Sequence, residues 1–362
     1  MINFFMHIQS VKNVPNYVYG KNSIAHLQEV LKNIEEPKKY FFFIIDIFFK
    51  NKNLFQKINI KKNHIIYFFD SKNEPSTDDI NNIVKNLKKN KIKAVIGIGG
   101  GSVMDVAKAV SNMLTNKGNA EDFQGWDLLK RKGVFKIGIP TISGTGAEST
   151  RTCVLINKKN KIKLGMNSDY SIFDLIILDP SLSITVPRNK FFFTGMDTYI
   201  HCMESLSGFF RNPIADSFSR EALNLCRRTF NSKNMKSEES RKNIMIASYL
   251  GGAAIAMTYV GLVHPISAAL GTMFEIHHCV GNCMVMRGMK EFYPKYYNEF
   301  WKMASMQKIN VPKGNFSNLT QKEYDKCYEL TIIHSKPLVN ALGKNYTRIL
   351  TKKKFIEILK KI

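Results

Sequence analysis

The sequence predicts an α/β N-terminal domain followed by an all-helical C-terminal domain. Three observations predict it. Short β-prone apolar runs alternate with helix-patterned stretches through the first half of the 362 residues, the pattern that builds a largely parallel sheet. From about Asn189 onward the β-prone runs stop and helical patterns take over. The chain is also long for a single core, so two domains are expected, at 1–188 and 189–362.

Residues 38–46 end the first apolar run, and 64–70 (HIIYFFD), 94–97 (AVIG) and 134–140 (VFKIGIP) supply three more strands. Residues 174–179 (DLIILD) read as the last. Helical patterns at 23–33 and 77–89 lie between them. Beyond the joint, 213–231, 241–259 and 353–362 read as helices, the last an amphipathic tail expected to pack on the helical domain. No repeat or low-complexity linker separates the halves, so the joint is close and a cleft there is the natural place for a site. The most apolar run, 40–49 (YFFFIIDIFF), is too short to span a membrane and contains Asp46. The start, MINFFMHIQSVKN, lacks a basic beginning, a continuous apolar stretch and a small-residue cleavage site. A cytoplasmic protein without a signal peptide is therefore expected.

The formal charge is +24. A nucleic-acid binder concentrates such charge on one stripe or arm with aromatics between. Here Lys is scattered along with Asn, Ile and Phe, which fits solvated faces and leaves room for steering of an anionic substrate. No nucleic-acid partner is expected. The six Cys residues form no C-x-x-C pair, and free buried thiols are expected.

The first motif is IGIGGGSVMDVAK, residues 96–108: a short strand, three glycines, Ser102 and a helix-compatible stretch. Glycines let a backbone approach a ligand closely, and a helix N-terminus offers unpaired N–H groups and a positive dipole end to phosphate. Gly99, Gly100, Gly101 and Ser102, with Asp105 one turn on, are the candidate cofactor residues. This is neither G-x-G-x-x-G nor a P-loop. Asp46, at the end of the first run, precedes the glycines. It can accept hydrogen bonds from ribose hydroxyls and repel a 2′-phosphate, favouring NAD over NADP, or it can simply cap a helix. A second polar loop, PTISGTGAESTR at 140–151, places Thr141, Ser143 and Thr145 as a second wall for the cofactor or as a plain capping turn.

The second motif is GMDTYIHCMES, 195–205. Asp197 and His201 stand one helical turn apart on one face, as a hydrogen-bonded pair or as half of a metal site. Of eight His residues, His264, His277 and His278 fall in the same helical half. On one straight helix His264 and His278 would be roughly 21 Å apart. Gly271, Phe274 and Gly281 suggest a break between them, so that two helix starts bring both imidazoles back to the Asp197 and His201 face. One carboxylate and three imidazoles suit Fe(II) or Zn(II) with positions open for substrate oxygen. His277 is placed either to orient a ligand or to bind the substrate hydroxyl. No G-x-S-x-G nucleophile motif is present.

The stretches GGGSVMDVAK, PTISGTGAE and GMDTYIHCMES, followed by His264 and His278, resemble the iron-containing (group III) alcohol dehydrogenase family from about residue 17 to 287. The resemblance implies a dinucleotide-binding α/β domain, a helical domain and a metal in the cleft between. It is an architecture shared with dehydroquinate synthase, whose lyase chemistry needs a Lys and Arg cluster not matched here. It also implies metal ligation by Asp197, His201, His264 and His278, a pyrophosphate loop at Gly99–Ser102, a ribose acid at Asp46 and cofactor contacts near Thr141, Thr145 and Lys163. The expected reaction oxidises a primary alcohol to an aldehyde with hydride passing to NAD, with His277 and His278 as the catalytic candidates. A homodimer is implied as well. EPSTDDI, QGWDLLK, IPTISGTGAESTRT and KLGMNSDYSIFD are similar to the 3-deoxy-D-manno-octulosonate (Kdo) 8-oxidase branch. That branch oxidises the C8 hydroxyl for a pyridoxal-phosphate (PLP) aminotransferase in lipopolysaccharide synthesis. Two departures stand out: Cys279 replaces the family's Gly after the last ligand His, and Ala268 replaces a second His found in many members. For an anionic sugar acid, Arg151 is a candidate carboxylate partner, or else an ion pair within the fold. Asn167 is a candidate hydroxyl reader.

Overall fold

The computed structural model describes residues 11–52, 58 and 61–362; the expectation drawn from the chain's start falls on residues 1–10, outside these. A six-stranded, all-parallel sheet holds β1 (Tyr17–Tyr19), β2 (Tyr40–Asp46), β3 (His64–Phe69), β4 (Ile92–Gly99), β6 (Phe135–Pro140) and β9 (Leu175–Leu178) in the order β1-β9-β6-β4-β2-β3. β2 shows why its sequence is so uniformly apolar. Phe41, Phe43 and Ile45 enter one core with Leu27 and Ile96. Phe42 and Ile44 enter the other, with Val95 and Val103. A parallel strand covered on both faces has no polar side, and each side chain so buried contributes roughly 1.5–3 kcal/mol.

β2 is flanked by β3 on one side and β4 on the other, so the strand order reverses there. The carboxyl ends of the strands at such a reversal border the crevice where open α/β sheets take ligands. Asp46 ends β2, Gly99 ends β4, and Gly99 pairs with Pro140 at the end of β6. The two loops singled out in the sequence therefore leave the sheet side by side.

One element has no counterpart in the sequence reading. A small sheet joins β5 (Gly125–Trp126), β8 (Ile162–Asn167) and β7 (Thr152–Asn157), the last two antiparallel. Its strands carry Asn157 and Gly165 at half-buried positions and Lys163 and Asn167 at buried ones, and the connection lacks the Asn-Gly signal of a tight hairpin.

All the described strands lie between Tyr17 and Leu178, and α-helices follow from Arg188. Their core gathers Phe192, Met196, Ile200, Val263, Ile266, Cys283 and Val285, and takes Phe355, Ile358 and Leu359 from the amphipathic tail. Among the described residues no single helix is long and apolar enough to cross a membrane.

Candidate active site

One cavity runs from the glycine loop to the histidine cluster. It is lined by Asp46, Gly100, Gly101 and Ser102 on the α/β side and by His201, His264, His277 and His278 on the helical side. Gly100 is the N-cap of the helix Gly101–Met113, and no side chain caps it. The glycines also answer to packing. A Cβ at Gly99 would stand 2.5 Å from Val103 Cγ2, and one at Gly101 2.9 Å from Thr145 Oγ1.

The other candidates divide. Thr145, Asp105 and Lys163 line the cavity, Lys163 paired with Glu74 at 2.6 Å. Burial pushes the Asp105 carboxyl up to about 7 against the pull of Lys108 and the Val154 N–H. Thr141 and Ser143 are buried, and the Thr141 N–H donates to Gly99 O at 2.9 Å, which ties the second loop to the end of β4. Asp46 caps the short turn after β2, its Oδ1 accepting from Phe48 N at 3.0 Å, and it borders the cavity.

Arg151 and Asn167 also line the cavity, but both are already engaged. Arg151 Nε donates to Asp169 at 2.7 Å and its Nη2 pairs with Asp127. Two carboxylates of the fold thus hold the guanidinium proposed for a substrate carboxylate, and bidentate capture by Arg151 alone is corrected to an ion pair. Asn167 accepts from Thr152 Oγ1 at 2.6 Å and donates to Gly125 O at 2.7 Å and Gly165 O at 2.9 Å. Its amide ties β5 to the hairpin rather than reading hydroxyls.

The helix α4 (Arg188–Ser207) carries Asp197 and His201 on one buried face. His264 is the second residue of α7 (Val263–Phe274) and His278 the first of α8 (His278–Val285). Between α7 and α8, Glu275 takes the left-handed conformation at φ 54°. Two helix starts therefore do present the imidazoles. Their Nε2 atoms converge on one carboxylate: His264 lies 3.4 Å and His201 3.8 Å from Asp197 Oδ1, and His278 lies 3.8 Å from Oδ2. Ligand atoms of Asp197, His201 and His264 all lie within 4.8 Å of one another.

This arrangement fits a divalent cation. Burial pushes His201 down to about 4 and His278 well below the usual range, although Asp197 opposes both. Burial alone would raise the Asp197 carboxyl, but the facing imidazoles hold it well below the carboxylate range. The neutral imidazoles of His201 and His278 facing an ionised carboxylate bring acceptor toward acceptor, which a cation relieves. The spacings also suit bonds of roughly 2.0–2.2 Å to one shared ion. Asn282 Nδ2 marks the convergence, 2.6 Å from Asp197 Oδ1 and 3.2 Å from both His264 Nε2 and His278 Nε2. The departures resolve simply. Cys279 is buried and its thiol donates to Asp197 Oδ2 at 3.6 Å, while Ala268 presents only a methyl to the cavity.

Three residues escaped the sequence reading. Glu204 accepts from His264 Nδ1 at 2.5 Å and from Val263 N at 2.5 Å, fixing which ring nitrogen faces Asp197. It stands seven residues after Asp197, on the same face of α4, which was its available signal. Asn282, four residues after His278, carried the same kind of signal. His334 lines the cavity far along the chain with none, and burial pushes it down to about 4.

Glu204→Gln is expected to weaken metal retention about 10–100-fold, the usual effect of losing a carboxylate behind a ligand His, as read by competition with a chelator. It also has a pH signature. Burial would lower His264, but Glu204 and Asp197 reverse this and push it up to about 9 from 6.5. In metal-stripped protein the stability from this charge is complete below 6.5 and lost as pH rises through about 9. Thermal unfolding should show that decline in the parent and a flatter profile in Glu204→Gln. Equal profiles would remove Glu204 from this role.

The profile of the iron-containing alcohol dehydrogenases matches residues 15–180, and that of the C-terminal domain of the Fe-containing alcohol dehydrogenase family matches 191–332. A sulfoacetaldehyde reductase of Bilophila wadsworthia is 35% identical over 207 residues, 57% of this chain and 54% of that protein. The matched stretch thus spans about half the length of that relative. An NAD-dependent methanol dehydrogenase of Bacillus methanolicus is 27% identical over 292 residues, 79% of this chain and 74% of that one. Among solved structures, a 1,3-propanediol oxidoreductase superposes with a TM-score of 0.86 at 18% identity, over 97% of this chain and 99% of that chain. A sulfoacetaldehyde reductase from Bifidobacterium kashiwanohense, solved with NAD+, gives 0.81 at 20% identity, over 97% and 98%. At such identities the structural likeness establishes the fold.

Proposed function

This chain belongs to the iron-containing alcohol dehydrogenase family, and on that premise we propose that it is an NAD-dependent oxidoreductase interconverting a primary alcohol and its aldehyde. One observation carries the reading: a cation-ready cluster and a glycine loop at a sheet reversal face one cavity. Asp197, His201, His264 and His278 hold the cation, iron or zinc, and Gly100–Ser102 with Asp46 hold the dinucleotide. When bound, the cation supplies Lewis acidity to the substrate hydroxyl and NAD supplies the hydride acceptor.

The chain's own residues position and protect the reacting groups. Ile142, Ile255, Val260 and Ile333 line the cavity and exclude water. His277 lines it beside His278, and burial lowers its ring, so it stays neutral at neutral pH and can take the hydroxyl proton at a ring nitrogen.

The finer reading takes the C8 hydroxyl of Kdo as substrate, delivering an aldehyde for a PLP-dependent aminotransferase. The stretches around EPSTDDI, QGWDLLK and GAESTRT support it. Sulfoacetaldehyde is a second reading, favoured by the 35% identity to the Bilophila reductase.

The test is anaerobic reconstitution with Fe(II) or Zn(II), then incubation with NAD+ and Kdo, isethionate or 1,3-propanediol. Formation of NADH is followed while a hydrazine traps the aldehyde. NADH with a C8 aldehyde is expected from Kdo. Turnover of isethionate or the diol alone discards the Kdo reading, and metal-loaded protein inert toward all three overturns the oxidoreductase.

A further inference from the structure

Away from the histidines, Trp126 and Tyr259 form an aromatic part of the cavity wall, and a lysine rests on it. Lys336 Nζ stands 4.1 Å from the ring centroid of Trp126 and 5.5 Å from that of Tyr259. The two rings meet edge to face at 5.0 Å, and both line the cavity. The Arg151 guanidinium lies 6.0 Å from the Trp126 centroid. It is held by Asp127 and Asp169, and Asp169 also pairs with Lys12. Lys336 itself makes no ion pair among the described residues. The cluster therefore sets three cations against two carboxylates. A lone ammonium packed on aromatic faces loses hydration and gains from an anion placed beside it.

The backbone here is held in unfavourable conformations. Tyr259 has φ 70° and Asp127, next to Trp126, has φ 58°. Tyr259 O accepts from Asn340 Nδ2 at 3.2 Å, and the Asp127 N–H donates to Asn167 O at 2.7 Å. Strain of this kind persists where surrounding contacts fix it and collects at ligand clamps. His334 and Pro337, on either side of Lys336 in sequence, line the cavity, and all three lie past residue 332, where the family match ends.

We propose that Lys336, seated on Trp126 beside Arg151, forms an anion subsite that takes the carboxylate of a hydroxy acid and selects anionic over neutral alcohols. This rests on the alcohol-oxidising reading of the cavity. Arg151 Nε and Nη2 are committed to Asp169 and Asp127, but a guanidinium has five N–H donors. A carboxylate can thus bridge the remaining donors and the ammonium. Lys336 is a specificity-determining residue in this arrangement and takes no part in the chemistry.

The test compares metal-loaded wild type, Lys336→Met and Lys336→Arg. Methionine keeps the apolar stem, so packing survives the loss of charge. The substrates are 4-hydroxybutanoate and 1,4-butanediol, equal in length and differing at one end in carboxylate against hydroxymethyl. The ratio of their kcat/KM values should fall about 10–100-fold in Lys336→Met, as expected for losing a charge-assisted contact, with the change in the acid's KM. Lys336→Arg should restore most of it. An unchanged ratio, whether both substrates fall together or neither does, overturns the proposal.

A second measurement needs no turnover. Trp126 is one of only two tryptophans, so butanoate binding is followed by intrinsic emission with Kd rising about tenfold or more in Lys336→Met. If wild type oxidises neither alcohol, the outcome with Kdo, isethionate and 1,3-propanediol still decides the alcohol-oxidising reading, and the butanoate titration alone decides the subsite. Butanoate affinity independent of residue 336 overturns it.

Discussion

Replacing Asp197 with alanine is expected to leave a folded protein that retains no cation and oxidises no alcohol. Asp197 is wholly buried, and three imidazole nitrogens, the Asn282 amide and the Cys279 thiol all approach its two oxygens. It is the one anionic member of the ligand set. Without it a divalent ion faces only neutral rings, two of which burial keeps from ionising. A Lewis-acid site contributes several kcal/mol to the barrier, so turnover should fall on the order of 10³-fold or more. Asp197→Asn keeps the volume and should share the loss, separating charge from packing. Metal analysis after gel filtration, with circular dichroism as the fold check, decides it. A variant holding one equivalent of metal and full activity would refute the ligand assignment.

Gly144→Ala is expected to be the most damaging single methyl in the described chain. Gly144 has φ 142°, and a Cβ there would stand 1.9 Å from Thr194 O and 2.2 Å from its carbon. The surrounding loop is fastened on both sides. Gly144 N donates to Ser248 Oγ at 2.8 Å, Thr198 Oγ1 donates to Gly144 O at 2.6 Å, and Ser248 Oγ donates to Glu148 at 2.6 Å. Thr194 and Thr198 flank Asp197, so pushing the loop away disturbs the ligand helix itself. A loss of about 4 kcal/mol or more, or failure to fold, is expected, the range of strain in a tightly determined site. Gly20 is the control: it has the same φ and nothing within 4 Å of its Cβ position. Gly20→Ala should cost only the roughly 1–2 kcal/mol of the backbone conformation. Denaturant unfolding compares them, and equal losses would mean the Gly144 contact yields without cost.

These contacts also show which features a sequence displays. The central strands are legible because burial on both faces leaves an uninterrupted apolar run, as in YFFFII. The hairpin of β7 and β8 is not, because Lys163 and Asn167 occupy buried positions where a sequence pattern expects apolar residues. The ligand cluster is legible because Asp197 and His201 are one turn apart and His264 and His278 flank residues that stop a helix. Glu204 and Asn282 lie at readable spacings, but such spacings have meaning only once the ligands are fixed. Arg151 and Asn167 show the converse. A polar residue beside a motif looks available until its partners, distant in sequence, are placed. His334 reaches the cavity, and Lys336 reaches Trp126, through the packing of the last helices, which no local pattern encodes.

The ligands stand on three separate helices, with Asp197 and His201 on one and His264 and His278 each opening another. A bound ion would therefore act as a reversible cross-link. In the unfolded chain the same four groups are free to wander, and holding them together closes one long loop from His201 to His264 and a short one from His264 to His278. The entropy of such closure grows only slowly with loop length, so the long connection through two further helices costs little more to close than the short one. Metal occupancy in this protein is thus coupled to the cohesion of the helical half, while the parallel sheet is fastened by its own two cores.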